Sequence, residues 1–119
     1  MKKKSIAILG STGSIGHSTL EIVKKTNEFK VELIFANKNY LKIINQINFF
    51  KPRIVIINSK NIYLKIKQKY HNKKIIVLNN IVNIQKYIKK IDVTVSAIPG
   101  IAGLEPTILF TKISKKILL

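Results

Sequence analysis

The chain has 119 residues, and 46% of them are hydrophobic, which is enough for one domain with a single core and excludes intrinsic disorder. It contains no cysteine, which excludes disulfides, thiolate nucleophiles and zinc–sulfur sites, and no apolar run reaches the roughly 18–20 residues that span a membrane. The net charge of +17 comes from 22 scattered basic residues, of which only Arg53 is an arginine, so a solvated lysine surface is favoured over a specific nucleic-acid interface.

The amino terminus, MKKKSIAILGS, has the basic start of a secretory signal. Its apolar run, Ile6 to Leu9, is too short for a signal core. The absence of cysteine agrees with a reducing compartment. We therefore expect a cytoplasmic location.

Short apolar runs that are typical of strands alternate with helix-compatible segments along the whole chain. The predicted strands are 5–9, 30–36, 53–58, 74–79, 92–98 and 115–119. The predicted helices are 15–27, 40–50, 59–71, 81–90 and 104–113. The apolar side of the first helix is predicted to be Ile15, Leu20, Ile22 and Val23. Strands that are apolar almost throughout indicate a sheet covered on both faces, so we predict an α/β domain, a doubly wound Rossmann-like parallel sheet with helices on both faces.

The run GSTGSIG lies between the first predicted strand and the first predicted helix. Gly10 permits a tight turn, Gly13 lets a pyrophosphate approach the backbone, and Gly16 lets the helix and strand pack closely. Three residues add hydroxyl donors: Ser11, Thr12 and Ser14. Free N–H groups and the positive end of the helix dipole then face the anion. The position of this run, directly after a strand and before a helix, favours dinucleotide binding over the alternative, a merely tight turn. Its spacing is G-x-x-G-x-x-G rather than the commoner G-x-G-x-x-G, so the pyrophosphate should lie slightly differently over the loop.

The end of the second predicted strand indicates which dinucleotide is bound. An NAD site usually has an acid there for the ribose 2′-hydroxyl, but this chain has ANKN, Ala36 to Asn39. Glu32 lies mid-strand, roughly 13–16 Å short of the strand end. Lys38 offers a cation to a 2′-phosphate, with Asn37 and Asn39 as hydrogen-bond partners, which favours NADP over NAD. The alternative is an ordinary surface lysine.

A second glycine-bearing loop, AIPGIAGLEPT at 97–107, follows the fifth predicted strand. In a doubly wound sheet this is the edge at which ligands bind. Gly100 and Gly103 would let a cofactor pass close to the backbone. A simple strand-to-helix turn explains the same spacing.

Together these segments resemble the 1-deoxy-D-xylulose 5-phosphate reductoisomerase family over the whole chain. ILGSTGSIGHSTLEIV resembles the family's amino-terminal signature, ANKN its Ala-Gly-Lys-Asn, KPRIVII its Pro-Arg strand, and SAIPGIAGLEPT its second glycine loop. The resemblance implies an NADPH- and metal-dependent (Mg or Mn) enzyme of the non-mevalonate isoprenoid pathway. Such an enzyme rearranges and reduces a sugar phosphate, 1-deoxy-D-xylulose 5-phosphate, to 2-C-methyl-D-erythritol 4-phosphate, and is a homodimer when intact. It gives cofactor roles to Thr12, Gly13, Ser14, Ile15, Lys38 and Asn39.

The chain departs from the family pattern at several positions. Asn37 replaces a glycine, and Pro99 removes an N–H donor from the second loop. A helix-ending glycine common in the family is absent from TKISKKILL. Asparagine tolerates unusual backbone angles, so the turn at Asn37 can survive the replacement.

Catalytic and metal-binding residues are not evident in the sequence. The five acids, Glu21, Glu28, Glu32, Asp92 and Glu105, are scattered, whereas a hard divalent cation needs converging oxygen ligands. His17 and His71 have no partner acid or nucleophile and are predicted to be exposed. We therefore expect residues 1–119 to be the NADPH-binding part of the enzyme, ending inside its last strand, without the catalytic and carboxy-terminal domains and inactive alone. The alternatives are a free-standing nucleotide-binding or regulatory module and a degraded gene product.

Overall fold

Strands and helices alternate along the chain in the computed structural model, which describes residues 2–119. The strands are β1 (Lys4–Leu9), β2 (Phe29–Ala36), β3 (Ile54–Ile57), β4 (Ile76–Leu78), β5 (Ile91–Ser96) and β6 (Ser114–Leu118). The α-helices are α1 (Ser14–Lys25), α2 (Tyr40–Phe50), α3 (Lys60–Lys69) and α4 (Leu104–Thr111), and the short 3-10 helices are Ile84–Lys86 and Ile101–Gly103. No helix within residues 2–119 is long and apolar enough to cross a membrane.

The strands form one sheet in the order β4-β3-β2-β1-β5-β6, and every neighbouring pair is parallel. The chain begins at the centre, moves outward to β4 and then crosses over to β5 on the other side of β1. The order of the strands therefore reverses between β1 and β5, and ligands of doubly wound sheets bind at the carboxyl edge of such a switch point. The predicted doubly wound parallel sheet is confirmed.

Hydrophobic cores lie on both faces of this sheet, which explains why its strands are apolar almost throughout. On one face Leu20 of α1, Ile43 of α2 and Ile66 of α3 pack on alternate strand residues such as Ile8. The core on the other face contains Phe110 of α4, together with three isoleucines of the segment between β4 and β5: Ile81, Ile84 and Ile88. All four residues of β3 are fully buried because both faces of that strand are covered.

The predicted helix at 81–90 is wrong. That segment has only the 3-10 turn Ile84–Lys86, preceded by Asn83 in a left-handed conformation with φ of 67°. The Asn80 side chain also accepts the Val82 N–H at 2.9 Å, a local bond that competes with helix formation. The isoleucines still reach the core, so burial produced their helix-like spacing without an α-helix.

The predicted apolar side of α1 is half right. Leu20 and Val23 are buried, whereas Ile15 and Ile22 are 64% and 65% exposed. The buried stripe begins at Gly16 and continues at Leu20 and Val23, an i, i+4, i+7 spacing that leaves both isoleucines to one side.

Candidate functional site

A cleft of about 400 Å³ opens at the carboxyl edge of the sheet, above the switch point between β1 and β5. Its walls come from three turns that follow β1, β2 and β5, with one residue after β3. The lining residues are Gly10, Thr12, Gly13, Phe35, Ala36, Asn37, Lys38, Asn39, Asn58, Ala97, Ile98, Pro99 and Ala102. Parts of all three segments that are predicted to bind a dinucleotide, GSTGSIG, ANKN and AIPGIAGLEPT, therefore line one cleft.

The turn after β1 depends on the missing side chain of Gly10. This residue has φ of 89°, a conformation that other residues rarely adopt. A Cβ there would also lie 2.9 Å from the carbonyl oxygen of Ala97 in the turn after β5. The N–H groups of Gly10 and Ser11 both donate to Phe35 O, at 2.7 and 3.0 Å, which ties the turn to the end of β2.

The other two glycines of the motif differ in their surroundings. A Cβ on Gly16 would overlap the carbonyl oxygen of Gly10 and lie 2.8 Å from Ser11 Cα, so α1 packs on the turn itself. A Cβ on Gly13 would meet only Gly10 O, at an ordinary 3.7 Å. Gly13 is exposed and lines the cleft, so its missing side chain leaves room for a ligand.

The amino end of α1 has unpaired backbone donors. Its N-cap is Gly13, which has no side chain to cap the helix. In the part of the chain that the structure describes, no backbone or side-chain group accepts a hydrogen bond from the amides of Thr12, Ser14, Ile15 or Gly16. Free amides together with the positive end of the helix dipole suit an anion.

The side chains around this turn differ in their access to the cleft. Thr12 lines it, whereas Ser14 and Ile15 are exposed and lie outside the lining, so their side chains do not form the wall of the cleft. The prediction that Ser11 adds a hydroxyl donor is wrong, because its side chain is fully buried beneath the turn. The Ser11 Oγ has no hydrogen-bond partner there.

Lys38 is the single charged residue among the lining residues given above, and it makes no ion pair within residues 2–119. No carboxylate lines the cleft. Glu32 lies at a bulge in the middle of β2, where the register with β1 skips one residue, and its Oε2 pairs with Arg53 Nε at 3.1 Å. The electrostatics of the cleft therefore favour an additional phosphate over a ribose hydroxyl.

The asparagines on either side of Lys38 have structural partners. Asn39 caps α2, because its Oδ1 accepts the Lys42 N–H at 3.2 Å. The Oδ1 of Asn37 accepts from Asn58 Nδ2 at 3.4 Å. Asn37 is not among the described residues that have positive φ, so the replacement of a glycine there strains no backbone.

The turn after β5 lines the cleft with Ala97, Ile98, Pro99 and Ala102 rather than with its glycines. Gly100 has φ of 69° and open space where a side chain would project, but it lies outside the cleft lining. Gly103 packs on this turn, since a Cβ there would overlap the carbonyl oxygen of Ile98.

The sequence motifs did not include two of the lining residues, Phe35 and Asn58. Asn58 directly follows β3, whose carboxyl end reaches the same edge of the sheet as those of β1 and β2. Asn58 belongs to no motif, so only its position at the end of a predicted strand could have indicated that it lies at the site.

Comparison with known proteins agrees with this geometry. The profile of the 1-deoxy-D-xylulose 5-phosphate reductoisomerase family matches residues 6–119. The chain belongs to this family. Reductoisomerases similar to it include one from Francisella tularensis, 37% identical over 118 residues, and one from Pelagibacter ubique, 42% identical over 118 residues. They cover 99% and 96% of this chain, which spans only 31% and 30% of their lengths.

Solved reductoisomerase structures share the fold. A DOX-P reductoisomerase in complex with magnesium has 30% identity and a TM-score of 0.86, covering 99% of this chain and 30% of its own. A DOX-P reductoisomerase in complex with NADPH, fosmidomycin and magnesium has 30% identity and a TM-score of 0.85, covering 98% of this chain and 29% of its own. Both alignments extend over nearly all of this chain, so the reductoisomerase fold includes the whole sheet.

The carboxylates within residues 2–119 do not fit a reductoisomerase metal site, because no three acidic or histidine side chains converge there. Three of the acids have basic partners: Glu21 pairs with Lys24, Glu32 with Arg53, and Asp92 with Lys115. Asp92 also lies at the start of β5, at the edge of the sheet opposite the cleft.

Proposed function

We propose that this chain binds NADPH in the cleft between the turns after β1, β2 and β5, as the cofactor-binding part of a 1-deoxy-D-xylulose 5-phosphate reductoisomerase. The observation that carries the proposal is the combination of free amides at the start of α1 with Lys38 in a cleft that has no carboxylate. The NADPH named in the solved relative supports the same ligand. When bound, NADPH supplies the hydride for the reductive step.

Different residues around the cleft would bind different parts of the cofactor. The amides of Thr12, Ser14 and Ile15 would hold the pyrophosphate, because they have no other acceptor and the helix dipole favours an anion there. The Gly10 turn and Gly13 leave the space for this approach. Lys38 would hold the 2′-phosphate through a charge-assisted bond.

The two asparagines beside Lys38, Asn37 and Asn39, have few acceptor atoms left for the ribose hydroxyls. The Oδ1 atoms of Asn37 and Asn39 already accept hydrogen bonds, so their Nδ2 groups are the donors that remain for a ligand. These Nδ2 groups can donate hydrogen bonds to the oxygens of a 2′-phosphate, and the asparagines carry no negative charge that would repel it.

Titration calorimetry tests the proposal. We expect NADPH to bind more tightly than NADH, and 2′-AMP to compete with NADPH. The absence of heat with NADPH from folded protein would contradict the proposal. Duplex DNA serves as a control, because binding by the +17 surface should vanish as salt is added.

We also propose that these 119 residues do not complete the reaction by themselves. No metal-binding group of side chains is present in residues 2–119, and the chain spans only 31% of a full-length relative. The divalent metal and the sugar phosphate would then be held by residues of the intact enzyme that lie outside this chain. Oxidation of NADPH by the purified chain with 1-deoxy-D-xylulose 5-phosphate and magnesium would overturn this part of the proposal.

A further inference from the structure

Gln46 of α2 is a buried polar residue directly beneath the turn after β1. It is only 6% exposed, and its helix neighbours Ile43 and Ile47 belong to the hydrophobic core. Its Nε2 donates to the carbonyl oxygen of Ser11 at 2.9 Å, across 35 positions of sequence. Its Oε1 is buried without a hydrogen-bond partner in the described residues. Burying an amide that is only half satisfied costs free energy, so this contact is not explained by stability alone.

The bond from Gln46 determines the direction of one peptide plane in the turn. The peptide between Ser11 and Thr12 is trans, so its C=O and N–H point in opposite directions. Because the carbonyl is held toward α2, the Thr12 N–H points away from that helix. Thr12 lines the cleft, and its N–H has no acceptor within residues 2–119.

The next peptide plane is held from the same helix. Lys42, one turn before Gln46, donates its Nζ to Thr12 O at 3.3 Å. The N–H of that peptide belongs to Gly13 and donates to Gly10 O at 3.3 Å. The two planes therefore present different groups, and only the plane held by Gln46 leaves its N–H free for a ligand.

We propose that Gln46 is a positioning residue that directs the Thr12 amide toward the pyrophosphate of the dinucleotide, an inference that rests on the proposed function. Gln46 is outside the cleft lining, so it acts through the Ser11–Thr12 peptide rather than by contact. Without its bond this plane is free to rotate about the backbone torsions of Ser11 and Thr12 and to present a carbonyl oxygen to the anion. That orientation repels phosphate instead of binding it.

The test uses Gln46→Met, which keeps the length of the side chain and removes its donor. Asn45→Met is the matched control, since Asn45 is the exposed neighbour on the same helix. We expect Gln46→Met to weaken NADPH and NADH binding alike by about tenfold or more, the factor that corresponds to one hydrogen bond to a charged group. Affinity for 2′-AMP should stay within about twofold of the wild-type value, because 2′-AMP has no pyrophosphate and so forms no hydrogen bond with the Thr12 amide.

A second variant decides the matter if Gln46→Met does not fold. In Gln46→Glu, the ionised carboxylate cannot donate to Ser11 O, whereas the neutral carboxyl can. Burial raises the pKa of such a carboxyl, and the Lys42 ammonium one turn earlier on the helix opposes this rise. We expect NADP⁺ affinity relative to wild type to be low at about pH 8 and to recover as the pH falls to about 5. NADP⁺ is the probe because it survives mildly acidic solution.

The outcomes separate the two proposals. A wild-type chain that binds neither NADPH nor 2′-AMP overturns the proposed function. A wild-type chain that binds both, with Gln46→Met unchanged or with equal losses for NADPH and 2′-AMP, overturns the role of Gln46. A relative affinity of Gln46→Glu that does not depend on pH also overturns it.

Discussion

Gly16 packs against Gly10 so closely that a Cβ on Gly16 would overlap the carbonyl oxygen of Gly10. We therefore expect Gly16→Ala to force α1 away from the turn and to destabilise the fold by about 1–3 kcal/mol, the usual cost of overpacking. Urea denaturation measures this change. Gly13→Ala is the control, since its Cβ would meet only Gly10 O at 3.7 Å. Equal stability of the Gly16→Ala and wild-type proteins would show that this packing is not restrictive.

Gly13→Val should affect cofactor binding rather than folding, in contrast to Gly16→Ala. Gly13 has φ of −75° and ψ of 174°, an extended conformation that valine adopts readily. We expect the variant to stay folded, with a loss of about 1 kcal/mol because valine is a poorer N-cap than glycine, but to lose binding of both NADPH and NADH, because the side chain fills the approach to the amides. Calorimetric titration checks the loss of binding. Unchanged affinity for both cofactors would move the pyrophosphate site elsewhere.

Lys38→Ala should separate the two cofactors. We expect NADPH binding to weaken by about 1–2 kcal/mol, the scale of a hydrogen bond to a charged group, while NADH affinity scarcely changes. Lys89→Ala removes the same charge at the opposite edge of the sheet, just before β5, and controls for the overall positive field. A similar loss of NADH affinity in Lys38→Ala would show that the lysine does not discriminate the 2′-phosphate.

The carboxylate of Asp92 should make the free energy of unfolding decrease as the pH falls into the acid range. The backbone N–H of Ser5 donates to its Oδ2 at 2.8 Å, and this bond, followed by the contact with Lys115, lowers the pKa of Asp92 below the ordinary value of 3.8. A carboxyl whose pKa is lower in the folded chain adds stability above pH 3.8, and this stability is lost as the pH falls through the folded-state value.

Asp92→Asn tests this dependence. We expect the variant to be less stable than wild type at pH 7, and the difference to shrink steadily below pH 3.8. Urea denaturation at a series of pH values gives both curves. A difference that stays constant down to about pH 2 would show that the carboxyl charge has no part in it.

The sheet and the turn after β1 could be predicted from the sequence because their signals are local. The four residues of β3 are all apolar, as burial on both faces requires, and GSTGSIG marks the turn by its glycines. The helix predicted at 81–90 failed because the isoleucine spacing reports burial and not backbone conformation. There the side chain of Asn80 and the left-handed Asn83 decide the local structure.

The support beneath the turn could not be predicted. Ser11 and Gln46 are 35 positions apart, and nothing in either segment indicates that an amide from α2 would hold a carbonyl after β1. The hydrogen bond between Asn58 and Asn37 could not be predicted either, because it depends on β2 and β3 lying side by side. Such contacts follow from the order of the strands, which becomes known only with the fold.

Helix α2 connects the proposed 2′-phosphate and pyrophosphate positions, since Asn39 caps it next to Lys38 and Gln46 holds the glycine turn two helical turns later. It acts as a ruler of about 10 Å, because each helical residue adds 1.5 Å. Inserting or deleting one residue between Asn39 and Gln46 would rotate Gln46 by about 100° away from Ser11 while leaving Lys38 in place. Length changes in this helix are therefore far less tolerable than substitutions on its exposed side.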